Sequence, residues 1–129
     1  MIFDEQRKFW ASVGSPGGET IQQTQAQVIV NLIEFGMDPQ EAVSAPRFAH
    51  SWMGQPDFRY PNFGVLQTPI DSGLDQKIYD ELTAMGHKLN VPKTGYGYTG
   101  SNAVIRYSRE SGWYLGGADP RRSLYAIGY

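Results

Sequence analysis

The chain has no cysteine. That excludes disulfides, thiolate metal sites and a cysteine nucleophile, and it leaves the redox compartment open. No apolar run approaches the ~20 residues that a membrane-spanning helix requires, so no membrane partner is expected. The opening Met1-Ile2-Phe3-Asp4-Glu5 lacks the basic-then-apolar order of a signal peptide. Eleven Lys and Arg stand against thirteen Asp and Glu, a net charge of −2. With no basic run either, the sequence offers no electrostatic footprint for nucleic acid. Neither a Gly-x-Ser-x-Gly nucleophile elbow nor a His-Glu-x-x-His metal motif occurs. His50 lies in an aromatic segment and His87 directly follows a helix-ending glycine; both read as structural or surface residues. No metal and no cofactor are expected.

Glycine and aromatic rings are plentiful instead: 15 glycines and 13% Phe, Trp and Tyr, which suits tight turns and a ring-rich core or interface. A length of 129 residues suits one domain, 1–129. Such a domain buries roughly two-thirds of its unfolded surface. The stretch Gly14-Ser15-Pro16-Gly17-Gly18-Glu19 organises the rest. Before it, Ile2-Phe3 and Phe9-Trp10-Ala11-Ser12-Val13 flank a polar Asp4–Lys8 segment and predict a hairpin. Its first strand is expected at a sheet edge, or paired with something outside this chain.

From Glu19 to about Phe35 the spacing predicts a helix, with Ile21, Val28, Leu32 and Phe35 on one stripe. Ala26, Ile29, Val30 and Ile33 widen that stripe, so the far end is expected to be buried on two sides. Gln22, Gln23, Thr24, Gln25 and Gln27 keep the loop end polar, near solvent or substrate, and Gly36 suits a left-handed cap. Asp38-Pro39-Gln40-Glu41 predicts a capped second helix that Pro46 ends. Arg47 to about Asn62 reads as a loop with one or two short strands. A third helix follows, with Ser72 as cap, Leu74, Ile78, Leu82 and Met85 as buried stripe, and Gly86 as stop. His87–Val91 predicts a strand, and Pro92–Gly100 a mobile surface loop. Ala103–Tyr107 and Trp113–Gly117 predict a strand pair around a Ser108–Gly112 turn, and Tyr125–Tyr129 a last short strand. The fold class is α+β, helices packed on an antiparallel sheet.

Two consecutive glycines before a helix let backbone N–H groups face outward, where the helix dipole favours a carboxylate, a phosphate or a developing oxyanion. The same residues also serve a tight strand-to-helix turn with no ligand at all. The Lys-Ser/Thr signature of a phosphate loop is absent, as is the third glycine of the dinucleotide fingerprint. What remains is an anion or oxyanion site on the N–H groups of Gly17 and Gly18, with Ser15 and Pro16 as candidate substrate contacts. Such a site needs a nucleophile from elsewhere. Asp75 with Asp80 or Glu81 reads as a solvated helix face. Asp119-Pro120-Arg121-Arg122 reads either as an Asp–Arg pair locking a turn or as a substrate contact.

Gly14-Ser15-Pro16-Gly17-Gly18, Gln27-Val28, Asn31, Gly36-Met37, Ala42, Ala45-Pro46-Arg47-Phe48, Gly86-His87 and Ala118-Asp119-Pro120-Arg121 occur in an order and spacing that form a specific set. The set resembles the C-terminal part of the small, catalytic subunit of γ-glutamyltransferases (γ-glutamyltranspeptidases), over essentially the whole chain. The resemblance implies part of an N-terminal-nucleophile (Ntn) hydrolase αββα sandwich, two antiparallel sheets between helical layers. It implies transfer or hydrolysis of γ-glutamyl groups, as from glutathione, to an acceptor amino acid, a peptide or water. In that family a new N-terminal Thr attacks the γ-glutamyl carbonyl with its own α-amine as base, and the glycines matching Gly17 and Gly18 form the oxyanion hole.

Several family features are missing: the Thr-Thr-His start of a small subunit, the Ser-Ser-Met-Ser-Pro stretch, the upstream acidic and Asn residues, and the large subunit with its Arg. The expectation is therefore a fragment, truncated or separately encoded, that does not catalyse γ-glutamyl transfer alone. Its partners would be the remainder of the small subunit and the large subunit. Apolar surface left uncovered is expected to drive self-association. The alternative is a non-catalytic module that binds a small carboxylate at the same loop or only assembles with a partner.

Overall fold

The computed structural model describes residues 1–16, 18, 20–50, 68–93 and 99–128. In chain order the elements are β1 (Ile2–Phe3), β2 (Phe9–Gly14), α1 (Ile21–Ile33), α2 (Pro39–Ser44), β3 (Thr68–Pro69), α3 (Gln76–Ala84), β4 (Leu89–Asn90), β5 (Ala103–Tyr107) and β6 (Tyr114–Ala118). Four strands form an antiparallel sheet in the order β1-β2-β5-β6, so β1 is an edge strand as expected. A second, parallel pair, β3 with β4, was not foreseen. Two-residue strands carry almost no periodic signal, and the expected strand over 87–91 shrinks to Leu89–Asn90.

Cross-strand partners point to the same face. Val13 opposite Val104 therefore places both toward the helices, while Ser12 opposite Ile105 faces away. The inward face meets a core of Val28, Leu32, Ala42, Val43 and Val104, with Trp10, Val13 and Met37 against it. Trp10 reaches this core because the β1–β2 register shifts between the pairs Ile2–Ala11 and Phe3–Phe9, leaving Trp10 as the extra residue. A bulge of this kind re-aims a side chain. On the outward face the rings of Phe9, Tyr107 and Tyr114 cluster, with centroids 5.3 to 6.2 Å apart.

Helix α1 departs from expectation at its far end. Only Thr24, Val28 and Leu32 are buried, whereas Val30 is 45%, Ile33 52% and Phe35 69% exposed. One layer covers one stripe, and nothing among the described residues packs on the second side. Gly36 closes the helix with φ +63°, and the Met37 N–H returns to the Asn31 carbonyl at 3.1 Å. The cap of α2 is as the sequence implies. The Asp38 carboxylate accepts the Glu41 N–H at 2.8 Å, and the Glu41 carboxylate accepts the Asp38 N–H at 3.0 Å.

The cap of α3 is Asp75, not Ser72: its carboxylate accepts the Lys77 N–H at 2.9 Å. Asp75 wins because it stands directly before the first helical residue. The stripe of Leu74, Ile78, Leu82 and Met85 is not buried, with Ile78 41% and Met85 73% exposed. Tyr79 holds the helix instead, its hydroxyl donating to the Asp71 carbonyl at 2.7 Å and accepting the Leu74 N–H at 3.1 Å. The return strand runs Tyr114–Ala118, one residue later than predicted. Residues 125–128 form no strand. At the edge where such a strand would pair, the Gln40 carboxamide already takes the Ala118 N–H and carbonyl, both at 3.0 Å. The expected strands within 51–62 and most of the Pro92–Gly100 loop lie outside the described residues.

Helix α2 sits directly on β6 at Gly117, where an added Cβ would lie 2.2 Å from the Pro39 carbonyl oxygen. That neighbour is backbone, so it does not swing aside. Gly117→Ala is expected to lift α2 from the sheet and cost about 1–3 kcal/mol, as overpacking does, read as a lower urea midpoint at unchanged slope. A midpoint equal to that of the parent would show that α2 does not bear on β6.

Candidate functional site

The glycine loop is carried by β2, whose last residue is Gly14, and it opens α1. Gly17 lies outside the described residues. Gly18 is exposed, and a Cβ added there meets nothing within 4 Å. The start of α1 is uncapped by its own chemistry: Thr20 at the N-cap makes no side-chain hydrogen bond, and the first turn has no acidic residue. Ser and Thr at this position usually accept an N–H of the first turn. Here the Thr24 hydroxyl instead donates to the Thr20 carbonyl at 2.9 Å.

Ser15 and Pro16 divide in role. The Ser15 hydroxyl donates to the Pro16 carbonyl at 3.0 Å and accepts the Ser101 N–H at 3.4 Å, so it is used in holding the loop. Pro16 is exposed. The segment 99–102 braces the loop from behind. Gly100 adopts φ +77°, and a Cβ there would stand 3.1 Å from Thr24 Oγ1 and 3.4 Å from Ser15 Oγ. Both the dihedral and the close approach call for glycine.

Behind that segment lies a buried ionic cluster. Arg47, Asp71 and Asp119 are 0–1% exposed, and the Arg121 side chain is 2% exposed. Two guanidiniums and two carboxylates make it neutral. Asp119 accepts from the Arg47 guanidinium, from the Asn102 N–H at 2.8 Å, and from the Arg121 N–H and Nη1 at 3.0 and 2.9 Å. Asp71 accepts from the Arg121 guanidinium, the Arg47 N–H at 2.9 Å and the Thr99 hydroxyl at 2.8 Å. The arginines also donate to the C-terminal end of α2: Arg47 to the Val43 carbonyl at 2.7 Å, Arg121 to those of Val43 and Ala45 at 2.7 and 2.8 Å. Arg47 Nε and the Asn102 carboxamide are buried without a hydrogen-bond partner among the described residues, a cost the rest of the network must offset.

The sequence reading of Asp119 and Arg121 as a turn-locking pair matches this geometry. It did not join them to Arg47 and Asp71, because partners this far apart in the chain leave no spacing signal. Asp75 is a cap, and Asp80 and Glu81 face solvent beside Gln76 and Lys77. His87 is exposed at the end of α3. His50 is not remote, since its backbone is bonded to Gln23 in the first turn of α1. A cleft of about 490 Å³ between Ile2, Phe3, Trp10, Leu32 and Ile33 lies at the other end of β2 and α1. Its charged pair, Asp4 with Arg109, ties two surface turns together, so the cleft is not where the chemistry is sought.

Burial by itself pushes the Asp119 carboxyl up, but hydrogen bonds from Asn102, Arg47 and Arg121 outweigh it and hold the carboxyl below its usual range. Burial lowers the Arg47 guanidinium, as does the like charge of Arg121, against the opposing pull of Asp119. A depressed carboxyl contributes stability above its unfolded value of about 3.9, lost as the pH falls through its lower folded value. Urea midpoints followed from pH 6 to pH 2 should stay level until about pH 4 and then fall. Asp119→Asn should lower the unfolding free energy at neutral pH by about 3–5 kcal/mol and flatten the acid slope. A variant with the parent's acid slope would exclude Asp119 as its source.

The family model for gamma-glutamyltranspeptidase matches residues 1–129. The glutathione hydrolase proenzyme of Escherichia coli (strain K12) is 34% identical over 114 residues, 88% of this chain and 17% of that protein. The glutathione hydrolase proenzyme of Bacillus subtilis (strain 168) is 33% identical over 117 residues, 91% of this chain and 17% of that protein. The chain thus spans about a sixth of the length of these curated relatives. Among solved structures, a mutant Helicobacter pylori gamma-glutamyltranspeptidase is 33% identical with a TM-score of 0.69, over 95% of this chain and 59% of that one. The α+β arrangement described above is accordingly part of an Ntn-hydrolase fold. Matched by the family model over residues 1–129 and 34% identical to a curated member, this chain belongs to the γ-glutamyltranspeptidase family.

Proposed function

We propose that this chain is the C-terminal portion of the small subunit of an enzyme that transfers or hydrolyses γ-glutamyl groups of glutathione-like amides, and that it supplies the oxyanion-hole loop. The observation that carries the reading is the start of α1. Its N-cap, Thr20, makes no side-chain hydrogen bond and comes two residues after Gly17-Gly18 in the sequence. Preorganised backbone N–H groups at such a place stabilise the charge that builds on a carbonyl oxygen as it becomes tetrahedral. The attacking hydroxyl and its base come from outside this chain, as do the groups that hold the glutamyl moiety. Negative charge forms on the carbonyl oxygen during attack, is held by the loop, and returns to the carbonyl as the leaving amine departs with a proton.

A second reading, an assembly module inactive alone, draws on the uncovered apolar surface. Ile33 and Phe35 on the helical side and Ile105 and Tyr114 on the sheet side are all more than half exposed. Both readings agree that these faces meet other polypeptide, the rest of the small subunit and the large subunit in the first.

Residues 1–129 substituted for the matching segment of the Escherichia coli proenzyme should give a chimera that hydrolyses a γ-glutamyl anilide, while the chain alone should not. Gly18→Pro in that chimera removes the N–H and should lower kcat/KM on the order of 10²-fold or more. Gly18→Ala keeps the N–H and meets nothing within 4 Å, so it serves as the control that folds and retains activity. Turnover by the chain alone, or full activity of Gly18→Pro, would overturn the reading. In sedimentation, the isolated chain should associate with rising concentration, and Ile33→Lys or Ile105→Lys should weaken this. A monomer at all concentrations would count against exposed apolar faces as association surfaces.

A further inference from the structure

Residues 47–50 run as a strand whose two edges are closed by different means. On one edge Phe48 forms an antiparallel bridge with Ile70, and the Asp71 N–H donates to the Arg47 carbonyl at 2.9 Å. On the other edge no strand pairs among the described residues. Two glutamine side chains of α1 take its place. The Gln27 carboxamide donates to the Phe48 carbonyl at 2.8 Å and accepts the Phe48 N–H at 3.1 Å. The Gln23 carboxamide does the same for His50, at 3.2 and 2.7 Å.

The match has a geometric cause. Residues four apart on a helix rise about 6 Å, and residues two apart on a strand advance about 6.7 Å. Both N–H and C=O of alternate strand residues face one edge, so side chains at i and i+4 meet residues j and j−2. The ladder stops at Pro46, which has no N–H to offer. Gln27 also donates to the Gln23 carbonyl at 2.9 Å, so both of its amide hydrogens are used and the pair is locked to the helix. Ala49 is fully buried between Phe48 and His50, which are exposed and whose rings meet edge-on.

We propose that Gln23 and Gln27 are positioning residues, which strap the 48–50 strand along the first two turns of α1 and thereby set the glycine-loop end of that helix against the buried arginine cluster. The strap begins at Arg47, anchored in the cluster by its guanidinium, and ends at Gln23, in the first turn after the loop. It braces α1 on the face next to Thr24, the residue against which Gly100 stands. This inference rests on the loop being the oxyanion site, and its test separates the two.

In the active chimera, Gln23→Ala and Gln27→Ala should speed amide hydrogen exchange of the 48–50 segment at least tenfold. They should lower kcat by about 10- to 100-fold, the cost of a small misplacement at the reacting centre, with KM within about twofold. Gln27→Glu keeps the acceptor for the Phe48 N–H and should retain part of the protection and of kcat, which also covers the case of an alanine variant that does not fold. Unchanged exchange would overturn the strap. Faster exchange with unchanged kcat, or a loss confined to KM, would overturn its positioning role. Full activity of Gly18→Pro, which lacks the N–H, would sink the loop reading, while the exchange measurement would still report on the strap.

Discussion

The buried pairing of Arg47 and Arg121 with Asp71 and Asp119 is the constraint on which the rest of the structure depends. It gathers the end of α2, the residues after β3 and the end of β6 on four charges sealed from water. The strands themselves are short, and two of the four strand pairings among the described residues consist of only two residue pairs. A neutral cluster in which each carboxylate accepts several hydrogen bonds supplies direction that apolar packing alone lacks. The same cluster is costly when incomplete, because a single lost partner strands a charge in a low dielectric. Its geometry therefore tolerates little variation, and the segment from Thr99 to Asn102 that it holds is fixed with it.

The loop inherits that rigidity. Thr99 is bonded to Asp71, Asn102 to Asp119, and between them Gly100 and Ser101 press on Thr24 and Ser15. The glutamine pair fixes α1 on an adjacent face. A helix start held on two faces, with no side-chain hydrogen bond from Thr20, suits the proposed oxyanion site. The charge cluster makes no contact with a reacting group in this account. Its contribution is position.

Apolar residues face outward on both the helical and the sheet side, as the proposed partner chains would require. The sheet presents the rings of Phe9, Tyr107 and Tyr114 to solvent, and α1 presents Val30, Ile33 and Phe35. This accords with a chain that spans about a sixth of its curated relatives. The amphipathic pattern of α1 was read as burial on two sides because its apolar residues encircle the far half. That pattern records the layers such a helix is built to meet, whereas burial in this chain records only the one present.

Much of the local structure was legible because its causes are local. The capping box of Asp38 and Glu41, the left-handed Gly36, the β5–β6 hairpin and the glycine loop between strand and helix each depend on residues a few positions apart. The ordered motifs from Gly14-Ser15-Pro16-Gly17-Gly18 to Asp119-Pro120-Arg121 were enough to identify the family. Only the tertiary structure joined Arg47 to Asp119, matched Gln23 and Gln27 to the backbone of His50 and Phe48, and moved the α3 cap to Asp75. The physical reason is that a hydrogen bond or ion pair between distant segments has no period and no fixed spacing in the chain. Its partners are chosen by packing, after the strands and helices have brought them within reach.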